Sequence, residues 1–142
     1  MIKIHKDVYE KMLMNFTSTV PECGGVLGAT NDGNITEFYF DISGKSTVES
    51  YTPDYIKINE VLEGDWAKRG IQMVGIAHSH GNAGDFPSCG DVYYCARIME
   101  NANIKEFVLP IVTLDPFVLH MYVVTYDGKG LLVKKDGFEI VD

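Results

Sequence analysis

Two histidines one residue apart, His78-Ser79-His80, close the apolar run Met73-Val74-Gly75-Ile76-Ala77, and Asp91 follows eleven residues after the second. On a β-strand, side chains at i and i+2 share a face, with a rise of about 3.3 Å per residue. Both imidazoles therefore project to one side, a spacing that suits one metal ion. A carboxylate from the start of the next element would complete a three-ligand set and leave a fourth position for water, which is how catalytic zinc is held. Ser88 stands three residues before Asp91. Taken alone, Ser88-x-x-Asp91 also reads as a helix start, with Ser88 at N-cap and Asp91 at N3. The two roles compete, because a carboxylate bound to a metal has fewer lone pairs for capping.

The elements that position these residues follow from hydrophobic periodicity. A first helix is expected from Asp7, with Glu10 three residues on as a capping box and Tyr9, Met12, Leu13 and Phe16 on one face. Residues 17–21 end it. Residues 23–30 and 35–42 read as strands of a hairpin, turning at Asn31-Asp32-Gly33-Asn34. Residues 43–52 are polar and read as loop. Pro53-Asp54 opens a second helix, with Tyr55, Ile58 and Leu62 inward and Gly70 as its stop. Residues 72–79 are a buried strand carrying the histidines, and 81–87 a loop. A third helix starts at Ser88, with Val92, Cys95, Ala96 and Met99 as its apolar stripe. Residues 107–113, 117–126 and 131–135 read as three strands, with a further one at 2–4 opening the chain. The order predicts an α+β fold of the broad α/β kind: a mixed, mostly antiparallel sheet flanked by helices.

A chain of 142 residues with 46% hydrophobic and 11% aromatic residues reads as one globular domain spanning residues 1–142. Its 20 acidic against 12 basic residues give a net charge of −8. That charge disfavours nucleic acid or an anionic membrane as a partner. No apolar stretch reaches the about 18 residues of a transmembrane helix, and the first residues lack a signal-peptide core. Cys23, Cys89 and Cys95 are odd in number and form no CxxC pair, which points to a reducing, cytoplasmic setting. Cys23 and Cys89 lie beside Glu22 and Ser88, as competing ligands or oxidisable thiols, or else as small buried fillers. Cys95, Trp66 and Tyr55 read as core, His5 as surface, and His120 as a packed or edge histidine.

The spacing His78-x-His80, seven residues, Ser88, two residues, Asp91 resembles the motif of the JAMM (MPN-type, JAB domain) metalloproteases. That family also uses a glutamate at the start of an upstream strand. Pro21-Glu22-Cys23-Gly24-Gly25-Val26-Leu27-Gly28 looks like this element, and the order of elements fits over nearly the whole chain. The resemblance implies an MPN/JAB-like fold with cytidine-deaminase-like architecture. It implies one Zn²⁺ per chain on His78, His80 and Asp91, with Glu22 as general base and then general acid. Ser88 would hydrogen-bond the transition state or the water. The chemistry agrees with these roles: zinc lowers the pKa of bound water toward about 7, a nearby carboxylate moves the proton to the leaving amine, and a hydroxyl serves the developing oxyanion. The chain departs from many members in having Gly81, followed by Asn82, Ala83 and Gly84, where proline often follows the second histidine.

Family members hydrolyse amide or isopeptide bonds at the C-terminal tail of ubiquitin or ubiquitin-like proteins. The short loop from His80 to Ser88 resembles the compact prokaryotic members, whose substrates include sulfur-carrier proteins. The expected activity is therefore zinc-dependent cleavage after the tail of a ubiquitin-like protein. Candidate edges for strand addition by that tail are residues 24–30 and 43–52. Gly24 and Gly25 either admit a close backbone or mark tight packing. Two alternatives stand beside this: hydrolysis of a sulfur-carrier adduct or small amide, and a non-catalytic MPN scaffold. A deaminase site would need a P-C-x-x-C ligand pair, which the sequence lacks.

Overall fold

The computed structural model describes residues 1–18, 21–42, 44–46, 51–81 and 84–142. In chain order the elements are β1 (Ile2–His5), α1 (Lys6–Asn15), β2 (Gly24–Ala29), β3 (Ile35–Phe40), β4 (Lys45–Ser46), β5 (Tyr51–Thr52), α2 (Tyr55–Val61), β6 (Gln72–Ser79), α3 (Cys89–Ala102), β7 (Glu106–Val108), β8 (Ile111–Thr113), β9 (Val118–His120), β10 (Tyr122–Tyr126), β11 (Leu131–Lys135) and β12 (Phe138–Val141). A π-helical stretch, Leu62–Trp66, prolongs α2. Ten strands form one mixed sheet in the order β11-β10-β7-β6-β2-β3-β1-β12, with β8 joining β6 to β9; β4 and β5 form a separate ribbon. The fold is α+β, as the sequence implied.

The alternation of side chains along the strands separates two cores. Leu27, Ala77 and Val112 face one way, onto Val8, Met12 and Phe16 of α1 and its C-terminal end. Their neighbours Val26, Ile76 and Ile111 face the other, onto Ile58, Trp66, Cys95 and Met99 of the α2 and α3 side. All six residues of β2 are buried, which is why that strand reads as a continuous apolar run rather than an alternating one. Period two then places His78 and His80 on the α3 side, and Ser79 on the α1 side.

Several expectations change. The N-cap of α1 is His5, without a side-chain cap bond, and the buried residues within it are Val8 and Met12, while Leu13 is exposed. The helix begins two residues earlier than Asp7 implied because β1 runs straight into it. Residues 107–113 are not one strand: β7 and β8 are separated by Leu109-Pro110, and each pairs a different part of β6. A proline lacks the N–H that an unbroken ladder needs. Residues 117–126 likewise divide into β9 and β10. The strand β12 was not anticipated; it pairs in parallel with β1. Tyr55 is exposed, whereas Trp66 and Cys95 are buried. Parts of the expected loops, residues 19–20, 43, 47–50 and 82–83, lie outside the described residues. Among the described residues no helix is long and apolar enough to cross a membrane.

Candidate metal centre

His78 is the penultimate residue of β6, His80 directly follows that strand, and Asp91 sits in the first turn of α3. The capping box expected of Ser88-x-x-Asp91 forms in full. The Ser88 hydroxyl accepts from the Asp91 N–H at 3.1 Å, and Asp91 Oδ2 accepts from the Ser88 N–H at 2.7 Å. The cap thus holds the Asp91 carboxylate against the histidines. His78 Nε2 and His80 Nε2 each lie 3.1 Å from the same Oδ2 and 2.9 Å from one another. The two roles read from the sequence therefore combine: one oxygen serves both the helix start and the cluster. His78, His80 and Asp91 form a group able to hold a metal ion.

The donor set is matched to a cation. His80 Nδ1 lies 3.0 Å from the carbonyl of Gly84. A carbonyl only accepts, so Nδ1 carries a proton; with Nε2 also protonated the ring donates to Asp91, and once Nε2 gives up its proton it offers a lone pair to a cation. A carboxylate oxygen facing that lone pair is relieved by a positive charge at their meeting point. The electrostatics agree. Burial opposes charge on His80, yet the hydrogen bond and negative charge of Asp91, with Glu22 behind it, raise its pKa above the ordinary imidazole value. Burial likewise disfavours an ionised Asp91, but hydrogen bonds from both histidines hold its carboxyl well below the usual carboxylate range.

Glu22 precedes β2 and is 2% exposed. Its pKa is raised by burial, against the lowering influence of His80 and His78 and of a hydrogen bond from the Gly81 N–H. The Gly81 N–H it accepts from directly follows His80 in the chain. Its Oε2 is buried with no hydrogen-bond partner among the described residues. An orphaned carboxylate oxygen costs about 1–3 kcal/mol or more unless something enters to satisfy it, so Glu22 is poised toward a further polar group.

Ser79, read from the sequence only as the spacer of the histidine pair, has a role of its own. It is fully buried. The Cys23 N–H donates to its Oγ at 3.0 Å, and its own N–H donates to the Cys23 carbonyl at 2.9 Å. The residue between the histidines thus fastens the segment carrying Glu22 from the opposite face. Only the i+1 position of the motif, pointing into the α1 core, hinted at this. Ser79→Ala is expected to leave one buried N–H unpaired, lowering stability by about 1–3 kcal/mol. Metal content should stay at the parental level while any Glu22-dependent turnover drops. An unchanged thermal midpoint and unchanged turnover would remove this role.

Among the described residues no cysteine belongs to the metal-holding group. Cys23 is half-buried, and its thiol donates to the Ser18 carbonyl at 3.7 Å, with Ser79 Oγ 3.6 Å away. Burial raises its pKa above that of a free thiol. Cys89 is exposed, not a buried filler. His120 faces Thr113 and Asp85 rather than the cluster.

The expected edge at residues 24–30 is corrected: β2 lies between β3 and β6 and is paired on both sides. Gly24 is a packing position, since a Cβ there would lie 2.5 Å from the ring of Tyr51 and 2.6 Å from the Ala77 carbonyl oxygen. Beside the cluster, Tyr51, Pro53, Ile76, Tyr94, Cys95 and Leu109 enclose with His78 and Asp91 a cavity of about 30 Å³.

The chain matches, over residues 6–130, the family described as prokaryotic homologs of the JAB domain. The solution structure of a protein from Desulfitobacterium hafniense superimposes with a TM-score of 0.74 at 23% sequence identity, covering 100% of this chain and 94% of that one. At that identity the likeness establishes the fold. No curated protein matches the chain.

Proposed function

The chain belongs to the prokaryotic homologs of the JAB domain, and we propose that it is a zinc-dependent isopeptidase, a single domain over residues 1–142 that hydrolyses the amide bond after the C-terminal tail of a ubiquitin-like protein. The observation that carries this reading is the convergence of His78 Nε2, His80 Nε2 and Asp91 Oδ2 at 2.9–3.1 Å, with the buried Glu22 carboxyl electrostatically coupled to all three residues. Three ligands on a tetrahedral zinc at about 2.0–2.1 Å lie about 3.3 Å apart, so the donor triangle needs only a slight expansion. Zinc bound there would supply an acidified water at neutral pH and polarise a carbonyl oxygen.

The chain's own groups account for the remaining steps. Glu22, buried and raised in pKa, takes a proton from the attacking water and passes it to the departing amine. The Ser88 oxygen accepts from the Asp91 N–H, which leaves its hydroxyl proton free to donate to the developing oxyanion. The small cavity beside His78 and Asp91 has room for about one water. The β4–β5 ribbon flanks it through Tyr51 and offers a short edge for strand addition. No nucleic acid or membrane partner is invoked, and a cytoplasmic setting suits the free thiols.

The test is hydrolysis of a fluorogenic Gly-Gly amide and of a panel of ubiquitin-like and sulfur-carrier fusions by zinc-loaded protein. Chelator-sensitive cleavage of at least one tail fusion is expected. Cleavage of the small amide alone would move the assignment to small amides. Stoichiometric zinc with no cleavage of any substrate would favour a scaffold.

A further inference from the structure

His80 meets the backbone of Gly84, and the neighbouring Asp85 is held from β9 and β10. The Gly84 carbonyl that takes the His80 Nδ1 proton belongs to a residue at φ +77, a conformation that side chains rarely adopt. The next residue, Asp85, is held by one hydrogen bond and flanked by a histidine. The Tyr122 hydroxyl donates to its carbonyl at 2.7 Å, and its Oδ2 lies 3.7 Å from His120 Nδ1. His120 Nε2 is in turn 2.9 Å from Thr113 Oγ1. Phe86 then lays its ring against Tyr122, with centroids 5.7 Å apart. Tyr122 is 1% exposed, in the core between sheet and α3. A phenylalanine would fill that space equally well. The hydroxyl is explained by its partner, the backbone of the loop.

We propose that Tyr122 is a positioning residue for the metal centre: with the His120–Asp85 contact, its hydroxyl fixes the Gly84-Asp85 backbone so that Gly84 holds the proton on His80 Nδ1 and leaves Nε2 free to ligate. This rests on the metal-site reading above. The partner of a ligating histidine sets its tautomer and ring orientation, and changes at that level weaken metal binding by about 10–100-fold. Tyr122 acts one bond further out, so Tyr122→Phe belongs at the lower end, about tenfold.

The experiment measures Zn²⁺ affinity by chelator competition, and the His80 tautomer in the metal-free protein by nitrogen-edited NMR of the imidazole. Tyr122→Phe should bind zinc about tenfold more weakly and show mixed tautomers of the neutral His80 ring where the neutral ring of the parent shows Nδ1–H alone. His120→Gln, which loosens the side-chain grip on Asp85, should move both readouts the same way and less. Tyr126→Phe, an exposed hydroxyl on the same strand, should move neither. A lower thermal midpoint for Tyr122→Phe with parental zinc affinity and a parental tautomer would overturn the proposal, leaving the tyrosine a purely structural role. If the parent binds no zinc, the metal-site reading fails, and the tautomer measurement still decides whether Tyr122 orients His80.

Discussion

Glu22→Gln is expected to retain the parental metal content and to lose about 10²–10⁴-fold in turnover. Glutamine keeps the length and the acceptor for the Gly81 N–H but cannot take up a proton. The ligand atoms belong to other residues, so metal binding should survive. The same substitution has a second signature in the metal-free protein. Burial raises the Glu22 pKa above its ordinary value. A raised carboxyl favours folding while it is protonated, below the unfolded-state pKa, and that contribution is lost as pH rises through the folded-state pKa. Near neutral pH the parent therefore carries an unfavourable buried charge that the variant lacks. Glu22→Gln should unfold at a higher temperature there, and the advantage should vanish on acidification below the ordinary glutamate range. Loss of metal together with turnover would mean that Glu22 is a ligand rather than the base.

The parts of this molecule legible in its sequence are those governed by short-range geometry. The period of two along residues 72–79 put His78 and His80 on one face, and Ser88-x-x-Asp91 announced a helix start that the structure forms. Both depend on neighbours within four positions. The misplaced parts depend on distant chain. Whether residues 24–30 are an edge or a centre strand turns on β3 and β6 both pairing with β2, and buried apolar runs look alike in either place. The parallel pairing of β1 with β12 joins the two ends of the chain, beyond the reach of any local pattern. Leu109-Pro110 carried a readable break, since the proline stands inside the expected strand. Ser79 and Tyr122 escaped notice because their polar atoms act on backbone 56 and 37 residues away, and a serine between two histidines or a tyrosine in a strand has no spacing that announces such a bond.

Asp91→Asn separates the two duties that meet in one oxygen. In the parent, Asp91 Oδ2 accepts from the Ser88 N–H and faces both imidazoles. The asparagine carbonyl can still accept the Ser88 N–H, so the capping box persists and α3 should start where it does now. The negative charge is gone, and with it both an anionic ligand and the influence that raises the His80 pKa. Metal affinity is expected to fall by two orders of magnitude or more, that is by at least about 2.7 kcal/mol at roughly 1.4 kcal/mol per tenfold. At a metal concentration about 100 times the parental Kd, the parent gains about 2.7 kcal/mol of stability by linkage, and the variant should lose nearly all of it. Asp91→Ala should lose the metal and the cap together, with a further destabilisation of about 0.5–2 kcal/mol that persists without metal. The difference between the two metal-free variants in thermal unfolding isolates the cap, and their shared loss of binding by calorimetry isolates the ligand. An Asn variant that binds zinc as tightly as the parent would show that the carboxylate only starts the helix, and the three-ligand centre would not stand.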